Sequence, residues 1–157
     1  MILKKLVSII GLGFGSGLSP IAPGTAGSFI AAGIYYFFIW DSLLNYLGIA
    51  LFLFFIIVSF FIGILVCSLF PDEDEDPKSF VWDEFTGMWV SCIPLSFIDK
   101  NIYLLLLAFL IFRFFDIFKP LGIQSTDSRT GPFYVMIDDV IAGSYSAFLM
   151  TLIIFFI

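Results

Sequence analysis

Two adjacent acidic pairs, Asp83-Glu84 and Asp138-Asp139, lie in stretches otherwise built from aromatic and aliphatic residues. A carboxylate is costly near lipid, so an acid in such a stretch is a functional candidate. Four acids call for opposing charge, and the chain offers few basic residues nearby. A divalent cation is the economical answer. Magnesium prefers oxygen ligands in octahedral geometry and keeps several waters. Adjacent helical residues point about 100° apart, so one acid of each pair would face a metal while the other orients ligands or serves a second ion. Capping competes with this reading, because Asp and Glu favour the first turn of a helix.

Basic residues appear in FRFFDIFKP, residues 112–120. Arg113, Asp116 and Lys119 recur every three positions and so share roughly a third of the helix circumference. Arginine suits bidentate contact with phosphate, and lysine suits a point-charge contact. Asp116 could ligate a metal or position Arg113; it or Asp83 could also attack as a carboxylate nucleophile. The alternative is an Arg-Asp pair within one helix plus a snorkelling lysine. Upstream lies SPIAPGTAGS, residues 19–28. Glycines let the backbone approach an anion, free N–H groups at a helix start favour phosphate, and Thr25 and Ser28 add hydroxyls. The same composition fits a turn or a helix-packing segment, and the P-loop pattern is absent.

Absences narrow the chemistry further. With no histidine in the chain, a Ser-His-Asp triad, a histidine nucleophile and a histidine zinc site are all excluded. Cys67 and Cys92 lie in separate apolar runs without CxxC spacing and read as small buried hydrophobes. Neither is followed five residues later by the arginine of a cysteine-dependent phosphatase. The net charge of -6 comes partly from PDEDEDPK at residues 71–78, read as a solvated loop. No basic face remains for a nucleic-acid partner.

The elements that carry these residues follow from composition. A chain that is 61% hydrophobic is an integral membrane protein, and 157 residues suit one domain, 1–157. The expected fold is all-α: a membrane-embedded bundle of four to five long helices plus an N-terminal interfacial amphipathic helix. The first membrane helix is expected to begin near Ala26 and continue past Asp41. The second covers 46–70, the third 79–98 with a bend at Pro94, the fourth 102–119 with a stop at Pro120, and the fifth about 133–157. Gln124 to Thr130 forms a polar connection.

Placing Lys4 and Lys5 in the cytoplasm, as the positive-inside rule prefers, brings Arg113, Lys119 and Arg129 to the same side and leaves Lys100 outside. The glycine-rich segment, both acidic pairs and the Arg113–Lys119 helix end then share one membrane face. An acidic metal site beside cationic phosphate binders suits metal-assisted phosphoryl chemistry on a lipid head group. A phosphatase for another lipid phosphate, isoprenoid phosphate or phosphatidic acid, uses the same parts. A divalent-cation transport component would use the acids but has little need of Arg113.

Four segments in this order resemble the phosphatidylglycerophosphatase A family: APGTAGS at 22–28, FVWDEFTGMW at 80–89, FRFFDIFKP at 112–120 and IDDVIAG at 137–143. The resemblance implies a magnesium-dependent bacterial inner-membrane enzyme converting phosphatidylglycerophosphate to phosphatidylglycerol, with a phospholipid substrate drawn from the bilayer. It implies acidic site residues at Asp83, Glu84, Asp138 and Asp139. It also implies Arg113, Asp116 and Lys119, and a loop of Pro23, Gly24, Thr25, Gly27 and Ser28. The chain departs from the family pattern at Leu121-Gly122 and in the GPFYVM approach to the second acidic pair.

Overall fold

The computed structural model describes residues 2–43, 45–71, 78–119 and 131–157. Expectations for the acids at 72–77, for Pro120, for Leu121-Gly122 and for the polar connection with Arg129 lie outside the described residues. Among the described residues all regular structure is helical.

Helix α1 (Ile2–Gly11) buries Val7 and Gly11 and leaves Ile2, Leu3 and Leu6 exposed. A 3-10 turn at Gly13–Leu18 follows, and α2 (Pro23–Ile34) begins with a proline in its first turn. There the missing N–H costs nothing and the fixed φ is already helical. The helix therefore starts before the expected Ala26. It continues through a π-helical turn, Tyr35–Ile39, and a 3-10 turn, Trp40–Leu43. Helix α3 (Tyr46–Ser68) opens at Asn45, whose side chain accepts from the Gly48 amide at 2.8 Å. Helix α4 covers Trp82–Ser91, and a 3-10 segment follows at Ile93–Phe97. Helix α5 (Ile102–Phe118) is capped by Asn101, and α6 covers Pro132–Phe156. Among the described residues three stretches are long and apolar enough to cross a membrane: Pro23–Leu43, Tyr46–Ser68 and Pro132–Phe156.

The third apolar run departs from expectation. It forms no single long helix, because Pro94 has no N–H with which to continue the α-helical ladder; the α-helix ends at Ser91. Helix α4 is also the innermost element: from Trp82 to Ser91 every residue except Glu84 is buried. It crosses α6 where two glycines meet. A Cβ on Gly87 would lie 2.6 Å from the Asp139 carbonyl oxygen, and one on Gly143 would strike the Gly87 carbonyl. Such small residues let helix backbones approach closely.

Buried hydroxyls and indoles lock the same crossing. The Ser91 and Ser146 hydroxyls are 2.6 Å apart, and each lies 3.3 Å from the Ala108 carbonyl. Thr86 lies 2.9 Å from Ser59, and the Trp82 and Trp89 indoles donate to the Ser59 and Ala31 carbonyls. Helix α4 is thereby tied to α6 through Ser91, to α3 through Ser59 and to α2 through Ala31.

Candidate active site

Four chain segments converge at one end of the bundle on a cavity of about 320 Å³. The start of α2 contributes Ala22, Pro23 and Gly24. The approach to α4 and its first turn contribute Lys78, Phe80, Asp83 and Glu84. The end of α5 brings Arg113, Asp116 and Lys119, and α6 brings Val135, Asp138 and Asp139. Three helix starts and one helix end thus share a single polar space.

The acids divide into two groups. Asp83, Glu84 and Asp139 each place a carboxylate oxygen within 4.8 Å of the others. Asp138 instead accepts from the Lys119 ammonium at 3.2 Å. Capping accounts for part of the first pair only, since the Glu84 amide donates to the Asp83 side chain at 3.0 Å. It does not account for the second pair, because the first turn of α6 carries no acid.

Arg113 is held from two sides. It forms an ion pair with Asp116 and donates to the Ser28 hydroxyl at 3.2 Å. Ser28 in turn donates to the Gly24 carbonyl at 2.8 Å. Gly24 is required by space: a Cβ there would strike the Glu84 carboxylate and lie 3.3 Å from Arg113 Nη1. Two residues of the wall adopt left-handed backbone, Ala22 (φ 52) and Lys119 (φ 43). That conformation is costly for non-glycine residues and persists where the surroundings enforce it. Ala22 supplies no side-chain cap to α2, so the first amides of the helix stay open to an anion.

Among the described residues, Glu84 Oε2, Asp139 Oδ2 and Arg113 Nε are buried polar atoms without a hydrogen-bond partner. Two are acceptors on carboxylates and one is a donor on a cation. Unsatisfied buried groups of this kind are costly and call for an explanation. All-oxygen carboxylate donors in a tight cluster fit a hard divalent cation, and the guanidinium N–H fits an anion beside it.

The structure therefore brings Asp83, Glu84, Asp138, Asp139, Arg113, Asp116, Lys119 and Gly24 together. Thr25, Gly27 and Ser28 do not line the cavity. Gly27 packs on Val81, whose Cβ would lie 2.9 Å from a Cβ at position 27, and Ser28 serves Arg113. Lys78 does line the cavity, yet its place at the end of the acidic run had marked it as loop. The available signal was its position five residues before Asp83, as the one basic residue of that run.

A family model described as Phosphatidylglycerophosphatase A matches residues 9–154. The chain is 37% identical over 142 residues to the Phosphatidylglycerophosphatase A of Escherichia coli K12, covering 88% of this chain and 78% of that protein. It is 36% identical over 152 residues to the protein of the same name from Haemophilus influenzae, covering 92% and 89%. A Bacteroides thetaiotaomicron protein named "Putative phosphatidylinositol-3-phosphatase" is 38% identical over 146 residues, covering 90% and 89%. No solved structure matches the chain. On the family match and these identities, the chain belongs to the phosphatidylglycerophosphatase A family.

Proposed function

We propose that this protein is a magnesium-dependent lipid phosphatase that hydrolyses phosphatidylglycerophosphate to phosphatidylglycerol and phosphate, the last step of phosphatidylglycerol synthesis. The observation that carries the reading is the meeting of three clustered carboxylates with a held guanidinium in one cavity. In the reaction a water oxygen bonds to the terminal phosphorus. The bond from phosphorus to the glycerol oxygen breaks, and that oxygen takes up a proton.

Asp83, Glu84 and Asp139 would hold the cation. When bound, magnesium offsets their charge, polarises the phosphoryl group and makes water a better nucleophile. Arg113 binds phosphoryl oxygens and stabilises the charge that builds on them. Asp116 and Ser28 fix the guanidinium for that contact. Lys119 adds a second positive charge and couples it to Asp138. The amide of Gly24 provides a further donor at the start of α2.

The name of the Bacteroides relative favours a second reading, with phosphatidylinositol 3-phosphate as substrate. Both lipids carry a phosphodiester next to the glyceride and a terminal phosphomonoester. Phosphate release by purified protein from phosphatidylglycerophosphate, phosphatidylinositol 3-phosphate, phosphatidic acid and isoprenoid phosphate decides among them. Preferred release from phosphatidylglycerophosphate, lost with chelator and restored by magnesium, is the expected result. Full activity after verified metal removal would overturn the cation's role, and preference for another lipid would overturn the substrate.

The basic residues support a cytoplasmic active site in the bacterial inner membrane, because Lys78, Arg113 and Lys119 line the cavity and basic residues favour the cytoplasmic side. Ser79→Cys should resist a membrane-impermeant thiol reagent applied to intact cells. Efficient labelling from outside would reverse the orientation.

A further inference from the structure

Among the described residues three basic side chains line the cavity, and two of them are drawn into its ion pairs. Arg113 is paired with Asp116 and Lys119 with Asp138. Lys78 is exposed at the mouth and forms no salt bridge among the described residues. The chain that follows it is pinned at two points. The Val81 amide donates to the Gly11 carbonyl at 2.8 Å. Gly17 packs so closely on the Ser79 carbonyl that a Cβ there would strike it. Helix α1 and the 3-10 turn thus fix residues 79–81, the short segment that joins Lys78 to the start of α4.

We propose that Lys78 is a head-group specificity residue that contacts the phosphodiester of the substrate, while Arg113 and Lys119 serve the phosphomonoester. The inference rests on the function proposed above and extends it. The glyceride must stay in lipid while the monoester reaches the buried carboxylates. The diester between them is then at the cavity mouth, where Lys78 stands. A single negative charge suits a solvated point cation; the more highly charged monoester suits the deeper guanidinium and its fork of donors. Both candidate lipids carry this diester, whereas phosphatidic acid does not. Lys78 therefore selects for lipids with two phosphorus groups over simple lipid monophosphates.

The test uses the purified full chain in neutral detergent micelles of constant composition, with Lys78→Ala and Lys78→Arg. The KM for phosphatidylglycerophosphate should rise about tenfold in Lys78→Ala, as expected for loss of a charge-assisted contact, with kcat unchanged. Lys78→Arg should restore it. Phosphatidylglycerol retains the diester and lacks the monoester, so its inhibition constant should weaken by the same factor. Inhibition by inorganic phosphate should not change. Equal KM values for Lys78→Ala and the unaltered chain, or equal weakening of both inhibitors, would overturn the role of Lys78 alone. No phosphate release from phosphatidylglycerophosphate by the unaltered chain would overturn the function, and this inference with it.

Discussion

At the end of the bundle remote from the active-site cavity, Asp41 and Lys100 meet at 2.7 Å with the Asp41 side chain 69% exposed, and Lys100 also sits 4.4 Å from the Tyr36 ring centroid. A cavity there, lined by Trp40, Asn45, Ser96 and Asp99 among others, measures about 640 Å³, twice the volume of the cavity at the other end. At the active-site end Asp83, Asp138 and Asp139 are buried, and Glu84 and Asp139 each keep a carboxylate oxygen without a partner. Cavity size therefore does not set the candidate site apart from the remote end; charge held out of water does. The exposed pair is locally complete and screened by solvent, whereas Asp83, Glu84 and Asp139 crowd their carboxylates together away from bulk water.

Substitutions at the two ends can break or sharpen this contrast. Asp139→Asn keeps size and removes one charge, and capping plays no part in α6. Turnover should fall by about a hundredfold or more, as when a group acting only on the transition state is lost, and the magnesium needed for half-maximal rate should rise. Asp83→Asn should behave alike. Wild-type turnover in both at limiting magnesium would place the chemistry elsewhere. Next comes Arg113→Lys, which keeps the charge but loses the fork of donors. Its kcat should drop by about tenfold to a hundredfold with the fold retained by circular dichroism. An unchanged kcat would reduce Arg113 to a partner of Asp116.

Gly24→Ala tests the close approach of α2 to Glu84. The added methyl displaces that carboxylate, and a shift of about 1 Å at such a site costs up to a hundredfold in rate. Normal kinetics would show that Glu84 does not need its observed position. The smallest effect belongs to the remote end. Asp41→Asn and Lys100→Ala should leave turnover unchanged and alter stability by less than about 1 kcal/mol. A large loss of activity in either would end the contrast between the two ends.

Much of the fold was legible because long apolar runs bounded by polar caps have few other solutions. Tyr46–Ser68 and Pro132–Phe156 emerge within a few residues of their expected limits. The start of α2 was not legible, since Pro23 and Gly24 read as loop although proline is well tolerated in a first helical turn. The third run was expected as one helix over 79–98 with a bend at Pro94; the proline marks the right place, but the α-helix stops at Ser91 and gives way to a 3-10 segment there. For the site, motif order was enough to gather the acids and cations. It could not divide Asp138 from Asp139, because that depends on how α6 is rotated about the Gly87–Gly143 crossing. Nor could it move Gly27 and Ser28 off the cavity wall, since their contacts with Val81 and Arg113 are set by tertiary packing.

The depth of α4 bears on how the protein is made. Its ten residues rise about 15 Å, half the ~30 Å hydrocarbon core of a bilayer. It carries two carboxylates, so the insertion machinery has little reason to pass it into lipid alone. The helix that crosses it at Gly143 and completes its acidic cluster, α6, leaves the ribosome after it. The acidic turn of α4 is therefore completed only when the last helix of the chain packs on it.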